Sequence, residues 1–165
     1  MENRKQVRDK NIDLCGNLLK EKKLSIAFAE SATAGRVMAD FSLVEKAGDF
    51  LKGGLVCYDA CVKEDVLKVP HSLILEYTAE SAEVTQAAAK GLRDLIKADI
   101  HVAVTGLTSP GGSETEEKPV GTMFIHYLYN GKEQSNRMVF DGDSESIMTQ
   151  TVDYIAAELM MFLQD

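Results

Sequence analysis

A charged, glycine-rich segment, residues 105–121 (TGLTSPGGSETEEKPVG), connects two short apolar runs. The runs, 100–104 and 120–128, each have the length and composition of a β-strand buried on both faces. Glycines 106, 111 and 112 permit tight turns, so backbone amides of this loop are candidates to line a concave wall for an anionic ligand. A plain surface connection is the alternative, because the segment has neither P-loop nor Rossmann spacing.

Helical and strand patterns alternate through the rest of the chain. Apolar residues at helical spacing predict helices at about 5–22, 35–43, 61–69 and 72–77, a longer helix after Ser81, and a C-terminal helix after the polar segment 141–146. Further strands are predicted at 25–29, 53–58, 122–128 and 133–140, and Asn130-Gly131 predicts a hairpin between the last two. This order is typical of a three-layer α/β/α sandwich, with a mixed sheet that includes a C-terminal antiparallel hairpin.

Composition limits the classes of partner. A chain of 165 residues with 45% hydrophobic content predicts a single domain over 1–165. The net charge, 18 − 26 = −8, disfavours nucleic acid as a partner. The chain has no apolar run of membrane-spanning length and no signal-peptide core at its start, so we expect no membrane partner and a cytoplasmic location. Apolar helix faces favour a homo-oligomer.

The spacing of cysteines and histidines suggests no metal site and no disulfide framework. The three cysteines, Cys15, Cys57 and Cys61, have no paired C-x-x-C spacing, and the three histidines fall in separate elements. We therefore expect reduced thiols and no bound metal.

Three strand ends carry candidate functional residues: Ser31, Tyr58 and Thr105. In sheets of this kind ligands bind outside the carboxyl ends of the strands, so these residues are expected to meet at one site. Ser31 precedes a predicted helix start and is either a nucleophile or an N-cap. Thr33 offers a second hydroxyl there, and Glu30 is a candidate acceptor for a neighbouring amide.

Lys63 lies on the short helix that follows the strand predicted at 53–58. A lysine in a partly desolvated pocket can lose its proton and act as a base. A solvated lysine on a surface helix is the alternative.

Several motifs resemble those of the CinA carboxy-terminal domain family, whose characterised members are nicotinamide mononucleotide deamidases. They are AESATAG at 29–35, GGLVCYDACVK at 53–63, AVTGLTSPGG at 103–112, EEKPVGT at 116–122 and FDGD at 140–143. The resemblance covers nearly the whole chain, and EEKPVGT with the preceding T-G and P-G-G is its most specific part.

The resemblance implies hydrolysis of the carboxamide of nicotinamide mononucleotide to nicotinate mononucleotide and ammonia, without cofactor or metal. Ser31 matches the family's nucleophile, and Lys63 matches the lysine that helps to activate it. A neutral lysine would take the hydroxyl proton, and amides at the helix start would hold the oxyanion. The residues expected to bind the nucleotide substrate are Glu30, Thr33, Tyr58, Thr105, Gly106, Gly111 and Gly112.

The chain departs from the family pattern at several positions. Ala32 and Ala34 stand where the family has a cysteine and a glycine, and Ser144 and Met148 stand at two common arginine positions. Arginine is well suited to bidentate phosphate binding, so its loss bears on substrate affinity. A catalytically silent homologue that binds a nucleotide or a protein partner is therefore the alternative function.

Overall fold

Six α-helices and five β-strands alternate through residues 10–164, the part of the chain that this computed structural model describes. The helices are α1 (Lys10–Lys22), α2 (Arg36–Ser42), α3 (Ala60–Asp65), α4 (His71–Tyr77), α5 (Ala82–Leu95) and α6 (Ser144–Phe162). The strands are β1 (Ile26–Glu30), β2 (Leu51–Val56), β3 (Ile100–Gly106), β4 (Thr122–Tyr129) and β5 (Lys132–Val139). Residues 5–9 of the predicted first helix lie outside the described residues.

The strands form one mixed sheet in the order β2-β1-β3-β4-β5. Strands β2, β1 and β3 are parallel, whereas β4 runs antiparallel to β3 and to β5. Asn130 and Gly131 form the turn between β4 and β5 with φ of 49° and 77°, the left-handed conformation that such hairpin turns require. The predicted mixed sheet and C-terminal hairpin are confirmed. Because the three parallel strands end at the same edge, the segments after them converge there.

Helices cover both faces of the sheet. Alternate β1 residues face opposite layers: Ile26 and Phe28 pack with α1, α2 and α6, whereas Ala27 and Ala29 pack against α5. The alanines on the α5 side leave room for a close helix, and the larger side chains fill the other layer. The predicted three-layer α/β/α sandwich is confirmed. None of the helices in the described range is long and apolar enough to cross a membrane.

Side-chain caps account for several element boundaries. Ser81 accepts a hydrogen bond from the Val84 amide at 3.3 Å and caps α5, as predicted. The strand predicted at 53–58 includes Tyr58, but β2 ends at Val56. The strand ends earlier because Asp59 is the N-cap of α3. Its backbone is extended, and its side chain accepts a hydrogen bond from the Cys61 amide. Tyr58 therefore lies on the connection between strand and helix.

Candidate active site

A cavity of about 230 Å³ lies at the carboxyl ends of the parallel strands. Its walls come from the connections after β1, β2 and β3 and from the turn between α4 and α5. The lining residues are Ser31, Ala32, Tyr58, Glu80, Gly106, Leu107, Thr108, Ser109, Pro110, Gly111 and Gly112. Five residues predicted for the site thus line one cavity: Ser31, Tyr58, Gly106, Gly111 and Gly112.

Ser31 and Lys63 are in direct contact beside this cavity. Lys63 Nζ lies 3.0 Å from Ser31 Oγ, although the two residues are 32 positions apart. The lysine is fully buried and the serine is 5% exposed. Lys63 lies in the last turn of the six-residue helix α3, and helical side chains lean toward the helix N-terminus, which directs its amine back to the strand ends. The alternative of a solvated surface lysine is wrong.

The other neighbours of the amine are backbone carbonyls. Lys63 Nζ donates to the carbonyl oxygen of Cys57 at 2.9 Å and approaches that of Tyr58 at 3.4 Å. Within the described residues no carboxylate forms an ion pair with Lys63. A neutral amine has two N–H donors and one lone pair. Three oxygen acceptors surround the amine, and one of them, the Ser31 hydroxyl, can also donate to a lone pair on this nitrogen, so the contact allows proton exchange between Ser31 and Lys63.

Cys57 lies under the site but is a poor nucleophile. Its side chain is buried, its Sγ contacts the Glu30 carbonyl oxygen at 3.5 Å, and it does not line the cavity. Burial raises the pKa of the thiol, although the charge of Lys63 opposes the shift. The thiol is therefore held in its unreactive neutral form, whereas the Ser31 hydroxyl lines the cavity in contact with an amine.

The carboxylate of Glu30 organises the turn that carries Ser31. This side chain is fully buried. It accepts four hydrogen bonds, from Thr33 Oγ1 at 2.7 Å and from the amides of Gly35 at 3.0 Å, Val37 at 3.0 Å and Met38 at 2.8 Å. Glu30 therefore satisfies the amides at the start of α2, as the structural-acceptor interpretation predicted.

This arrangement corrects three sequence-based assignments. Ser31 is not the N-cap of α2, because Gly35 holds that position and Glu30 takes the amides that a cap would bind. Neither Glu30 nor Thr33 lines the cavity, since their side chains bond to each other behind it. Both side chains have a structural role in this turn, their contact with a substrate stays a prediction, and the Ser31 hydroxyl contacts Lys63.

The turn after Ser31 leaves two backbone amides without an acceptor. Within the described residues, the Ala34 amide bonds to the Ser31 carbonyl oxygen, but the amides of Ala32 and Thr33 donate no hydrogen bond. Ala32 also lines the cavity beside the serine hydroxyl. Unpaired amides next to a nucleophile are the usual donors of an oxyanion hole.

Ala34 takes up left-handed backbone, with φ of 49°. Such a conformation costs a residue with a Cβ about 1–2 kcal/mol, whereas glycine adopts it freely. We therefore expect Ala34→Gly to raise the free energy of unfolding by about 1 kcal/mol, after allowing for the greater entropy of glycine in the unfolded chain. Urea denaturation measures the change.

Ala39→Gly is the matched control for this prediction. Ala39 lies inside α2 with ordinary helical backbone, so the same replacement should destabilise the protein by about 1 kcal/mol. Loss of stability in Ala34→Gly would contradict the assignment of strain to this turn.

Thr105 does not line the cavity, contrary to expectation. Its side chain is buried and its hydroxyl shares a hydrogen bond of 2.8 Å with that of Thr85 on α5. The next residue, Gly106, does line the cavity. A Cβ there would lie 2.6 Å from the Thr122 carbonyl oxygen, so only glycine allows β4 to approach this closely. Thr105 fixes helix α5 to the strand, and Gly106 forms the wall.

The glycine-rich loop binds an anion that belongs to its own chain. The amide of Gly111 donates to Oε1 of Glu114 at 2.7 Å, and this hydrogen bond lowers the pKa of the Glu114 carboxyl. Gly111 has a φ of 96°, which turns the backbone for this contact. The expected cradle for a substrate anion is therefore occupied at Gly111 by a carboxylate of the loop itself.

Lys118 connects this loop to the turn between α4 and α5. Its Nζ donates to Thr78 Oγ1 at 2.7 Å, Ser113 Oγ at 2.9 Å and the Glu80 carbonyl oxygen at 3.1 Å. Ser113 Oγ in turn donates to Glu80 Oε2 at 2.6 Å. Burial lowers the pKa of Lys118, and the charge of Glu80 opposes the shift. We call Thr78, Glu80, Ser113 and Lys118 the loop cluster.

Sequence reasoning missed the loop cluster. The available signal was the position of Lys118 inside EEKPVGT, the most specific of the motifs. Thr78 has φ of 68° and ψ of 163°, a region that residues other than glycine rarely adopt. Its side-chain hydroxyl accepts the hydrogen bond from Lys118.

The positions of the two replaced arginines supply no cation. Ser144 Oγ donates to the carbonyl oxygen of Thr108 at 2.7 Å and so ties α6 to the cavity wall, and Met148 is half-buried. Among the described residues no group of three His, Cys, Asp or Glu side chains is placed to hold a metal ion.

Comparison with protein families identifies a match over nearly the whole chain. The profile of the CinA C-terminal domain matches residues 8–163. A CinA-like protein of Citrifermentans bemidjiense is 36% identical over 144 residues, which cover 87% of this chain and 34% of the relative. A CinA-like protein of Thermotoga neapolitana is 38% identical over 134 residues, covering 81% and 32%. The chain thus spans about a third of the length of these curated relatives.

Solved structures share the fold. The competence damage-inducible protein A of Klebsiella pneumoniae superposes with a TM-score of 0.88 at 28% identity, covering 94% of this chain and 98% of that one. A CinA superfamily protein of Escherichia coli superposes with a TM-score of 0.86 at 26% identity, covering 92% and 88%. Each superposition therefore covers more than nine-tenths of this chain.

Proposed function

We propose that this chain, which belongs to the CinA C-terminal domain family, hydrolyses the carboxamide of nicotinamide mononucleotide. Ser31 would be the nucleophile of the reaction. The products would be nicotinate mononucleotide and ammonia. The observation that carries the proposal is the 3.0 Å contact between Ser31 Oγ and Lys63 Nζ at the wall of a cavity. A serine next to a buried amine is the pairing that acyl transfer needs.

In the first step the neutral amine of Lys63 takes the hydroxyl proton while Ser31 Oγ attacks the carboxamide carbon. The developing oxyanion accepts a hydrogen bond from the Ala32 amide, which has no other acceptor within residues 10–164. The intermediate then collapses, the carbon–nitrogen bond breaks, and Lys63 returns its proton to the departing nitrogen as ammonia forms. An ester of Ser31 remains.

In the second step water hydrolyses this ester. Lys63 takes a proton from the attacking water, the carbon–oxygen bond to Ser31 breaks, and the serine recovers its proton from Lys63. One amide and one water thus give one acid and one ammonia. The carbonyls of Cys57 and Tyr58 hold the amine in place through both proton transfers.

Tyr58 is suited to hold the aromatic ring of the substrate. Its side chain lines the cavity yet is 66% exposed, so its ring face is available at the entrance. A pyridinium ring carries positive charge, and an aromatic face attracts a cation within stacking distance. The ring would be held with its carboxamide directed toward Ser31.

A direct test is incubation of the purified protein with nicotinamide mononucleotide. We expect ammonia and nicotinate mononucleotide in equal amounts, measured by a coupled ammonia assay and by chromatography of the nucleotide. Unequal amounts of the two products would point to different chemistry, and the absence of both would contradict the proposal.

Lys63→Met tests the base. Methionine keeps most of the buried length but has no proton acceptor, so we expect kcat to fall about 10²–10⁴-fold, the usual contribution of general acid–base catalysis. Lys97→Met is the matched control, because Lys97 is exposed and lies just before β3 at the opposite end of the sheet. A folded Lys63→Met variant with full turnover would remove Lys63 from the mechanism.

A catalytically silent homologue that binds a nucleotide or a protein partner is the second candidate function. One observation favours it: no Lys, Arg or His is among the described residues that line the cavity. This candidate predicts ligand-induced thermal stabilisation without ammonia release. The cytoplasmic location and the homo-oligomer expected from the sequence stay predictions.

A further inference from the structure

Glu80 carries the one carboxylate among the described residues that line the cavity. It lies in the turn between α4 and α5 and is half-buried, and within residues 10–164 no Lys, Arg or His forms an ion pair with it. An ionised carboxylate only accepts hydrogen bonds, and its partial burial is favourable only when donors surround it. Glu80 is therefore a candidate to bind a ligand group that donates hydrogen bonds.

Hydrogen bonds within the loop cluster hold this carboxylate in place. Ser113 Oγ donates to Glu80 Oε2 at 2.6 Å, and Lys118 Nζ donates to Ser113 Oγ at 2.9 Å. The same amine donates to the Glu80 carbonyl oxygen at 3.1 Å, so Lys118 fixes the backbone of Glu80 directly and its side chain through Ser113. The second carboxylate oxygen, Oε1, has no donor in the described part of the chain. Glu80 thus presents one fixed oxygen with free lone pairs beside the cavity.

The wall formed by the loop after β3 offers donors in place of acceptors. Thr108 and Ser109 line the cavity, and neither their amides nor their hydroxyls have an acceptor among residues 10–164. Backbone and hydroxyl donors of this kind suit a phosphate, whose charged oxygens accept hydrogen bonds. At Gly111, by contrast, the amide already donates to Glu114. The segment 108–109 is therefore the part of the wall that matches the phosphate of a mononucleotide.

Nicotinamide mononucleotide has three polar parts that this lining has to match: the carboxamide, the phosphate and the two ribose hydroxyls. The carboxamide has to reach Ser31, because that hydroxyl is the attacking group. The phosphate needs donors and is repelled by a carboxylate, so Thr108 and Ser109 suit it and Glu80 does not. The ribose hydroxyls can donate, and Glu80 Oε1 is an acceptor without a donor.

From this complementarity we infer that Glu80 is a specificity residue, which binds the ribose hydroxyls of the substrate through Oε1. This role rests on the proposed amide hydrolysis and adds recognition of the sugar to it. Hydrogen bonds from hydroxyls to a carboxylate are about twice as strong as those between neutral groups. Because Ser113 already holds the other oxygen, little side-chain freedom is lost when the ribose binds. A substrate without these hydroxyls would leave the carboxylate without a donor, which disfavours it.

The test compares kcat/KM for nicotinamide mononucleotide and for its 2′,3′-dideoxyribosyl analogue, with ammonia release as the readout. We expect the ribosyl substrate to be preferred about tenfold or more, the usual size of a hydrogen bond to a charged group. Equal use of the two substrates, or preference for the dideoxy analogue, would overturn the role of Glu80 and leave the proposed amidase function intact.

Glu80→Ala tests the source of this preference. Removal of the carboxylate should lower the ratio of the two kcat/KM values about tenfold, to near one. Glu83→Ala is the matched control, because Glu83 is exposed in the first turn of α5, and its ratio should stay unchanged. Glu80→Gln keeps the shape of the side chain and should lower the ratio in the same direction.

The ratio also separates sugar recognition from two other effects of the substitution. It compares two substrates on one preparation, so a smaller folded fraction of a variant cancels. Attraction of Glu80 for the cationic ring alone would slow both substrates equally. An unchanged ratio in Glu80→Ala would therefore overturn the inference.

Binding distinguishes failure of this inference from failure of the amidase function. Calorimetry with the Ser31→Ala variant measures the affinity for the mononucleotide and for its dideoxy analogue without turnover. Binding of the mononucleotide about tenfold or more tighter supports sugar recognition by Glu80, even if the unaltered protein releases no ammonia, which would reject only the proposed reaction. Equal affinities, or binding of neither ligand, would overturn the inference.

Discussion

Replacing Ser31 by alanine is expected to abolish ammonia release while leaving the fold unchanged. The variant lacks the atom that would attack the carboxamide, so kcat should fall about 10⁴-fold or more, as in other serine enzymes that lose their nucleophile. The hydroxyl makes one side-chain hydrogen bond, to Lys63, so stability should change little. Single-turnover measurement of ammonia, with the nucleotide product separated by chromatography, gives the rate.

Ser42→Ala is the matched control for this variant. Ser42 is exposed at the end of α2 and bonds only to the Ala39 carbonyl oxygen, so the same replacement there should leave turnover intact. If Ser31→Ala retained the full rate, a water activated directly by Lys63 would replace the covalent mechanism.

Replacing Glu30 by glutamine is expected to cause the largest loss of stability. The carboxylate accepts from three backbone amides and one hydroxyl in a site from which water is excluded. The NH₂ of a glutamine would face one or more of these donors. Each buried donor left unsatisfied costs about 1–3 kcal/mol, so we expect a loss of about 3 kcal/mol or more in the free energy of unfolding. Urea denaturation followed by circular dichroism measures it.

Glu45→Gln controls for the chemical change itself. The Glu45 side chain is exposed, and the structure records a contact only at its backbone carbonyl, so stability should be almost unchanged. Since globular domains have about 5–15 kcal/mol of stability in total, the loss in Glu30→Gln is large enough to separate the two variants clearly. Equal urea midpoints for Glu30→Gln and Glu45→Gln would show that the amides of α2 find other acceptors.

Much of the fold was predictable because it follows from local patterns. The strands β3 and β4 are short apolar runs with a turn-rich connection, and Asn130-Gly131 specifies a tight hairpin. Boundaries were less accurate where a side chain decided them. The start of β1, for example, moved from Ser25 to Ile26, and the Ser25 amide and hydroxyl both bond to the Asp99 carboxylate, a residue 74 positions away.

The position of the site was predictable from the sequence, but the roles of its residues were predictable only in part. Three parallel strands bring their ends together in any sheet of this order, so the cavity at Ser31 and Tyr58 follows from topology. The burial of Lys63 does not follow from topology, because a six-residue helix with charged neighbours has the composition of a surface element. The capping role of Glu30 also depends on three-dimensional geometry, since Ser31 and Thr33 are both of residue types that are common at N-caps.

The hydrogen bonds of Lys118 have a mechanical consequence. Its three acceptors belong to two segments that are more than thirty residues apart in sequence, and all three share one nitrogen. When this loop moves, the loss of any one Lys118 hydrogen bond therefore weakens the other two. The cavity wall should open as a single cooperative unit, and amide exchange along it should report one common opening equilibrium.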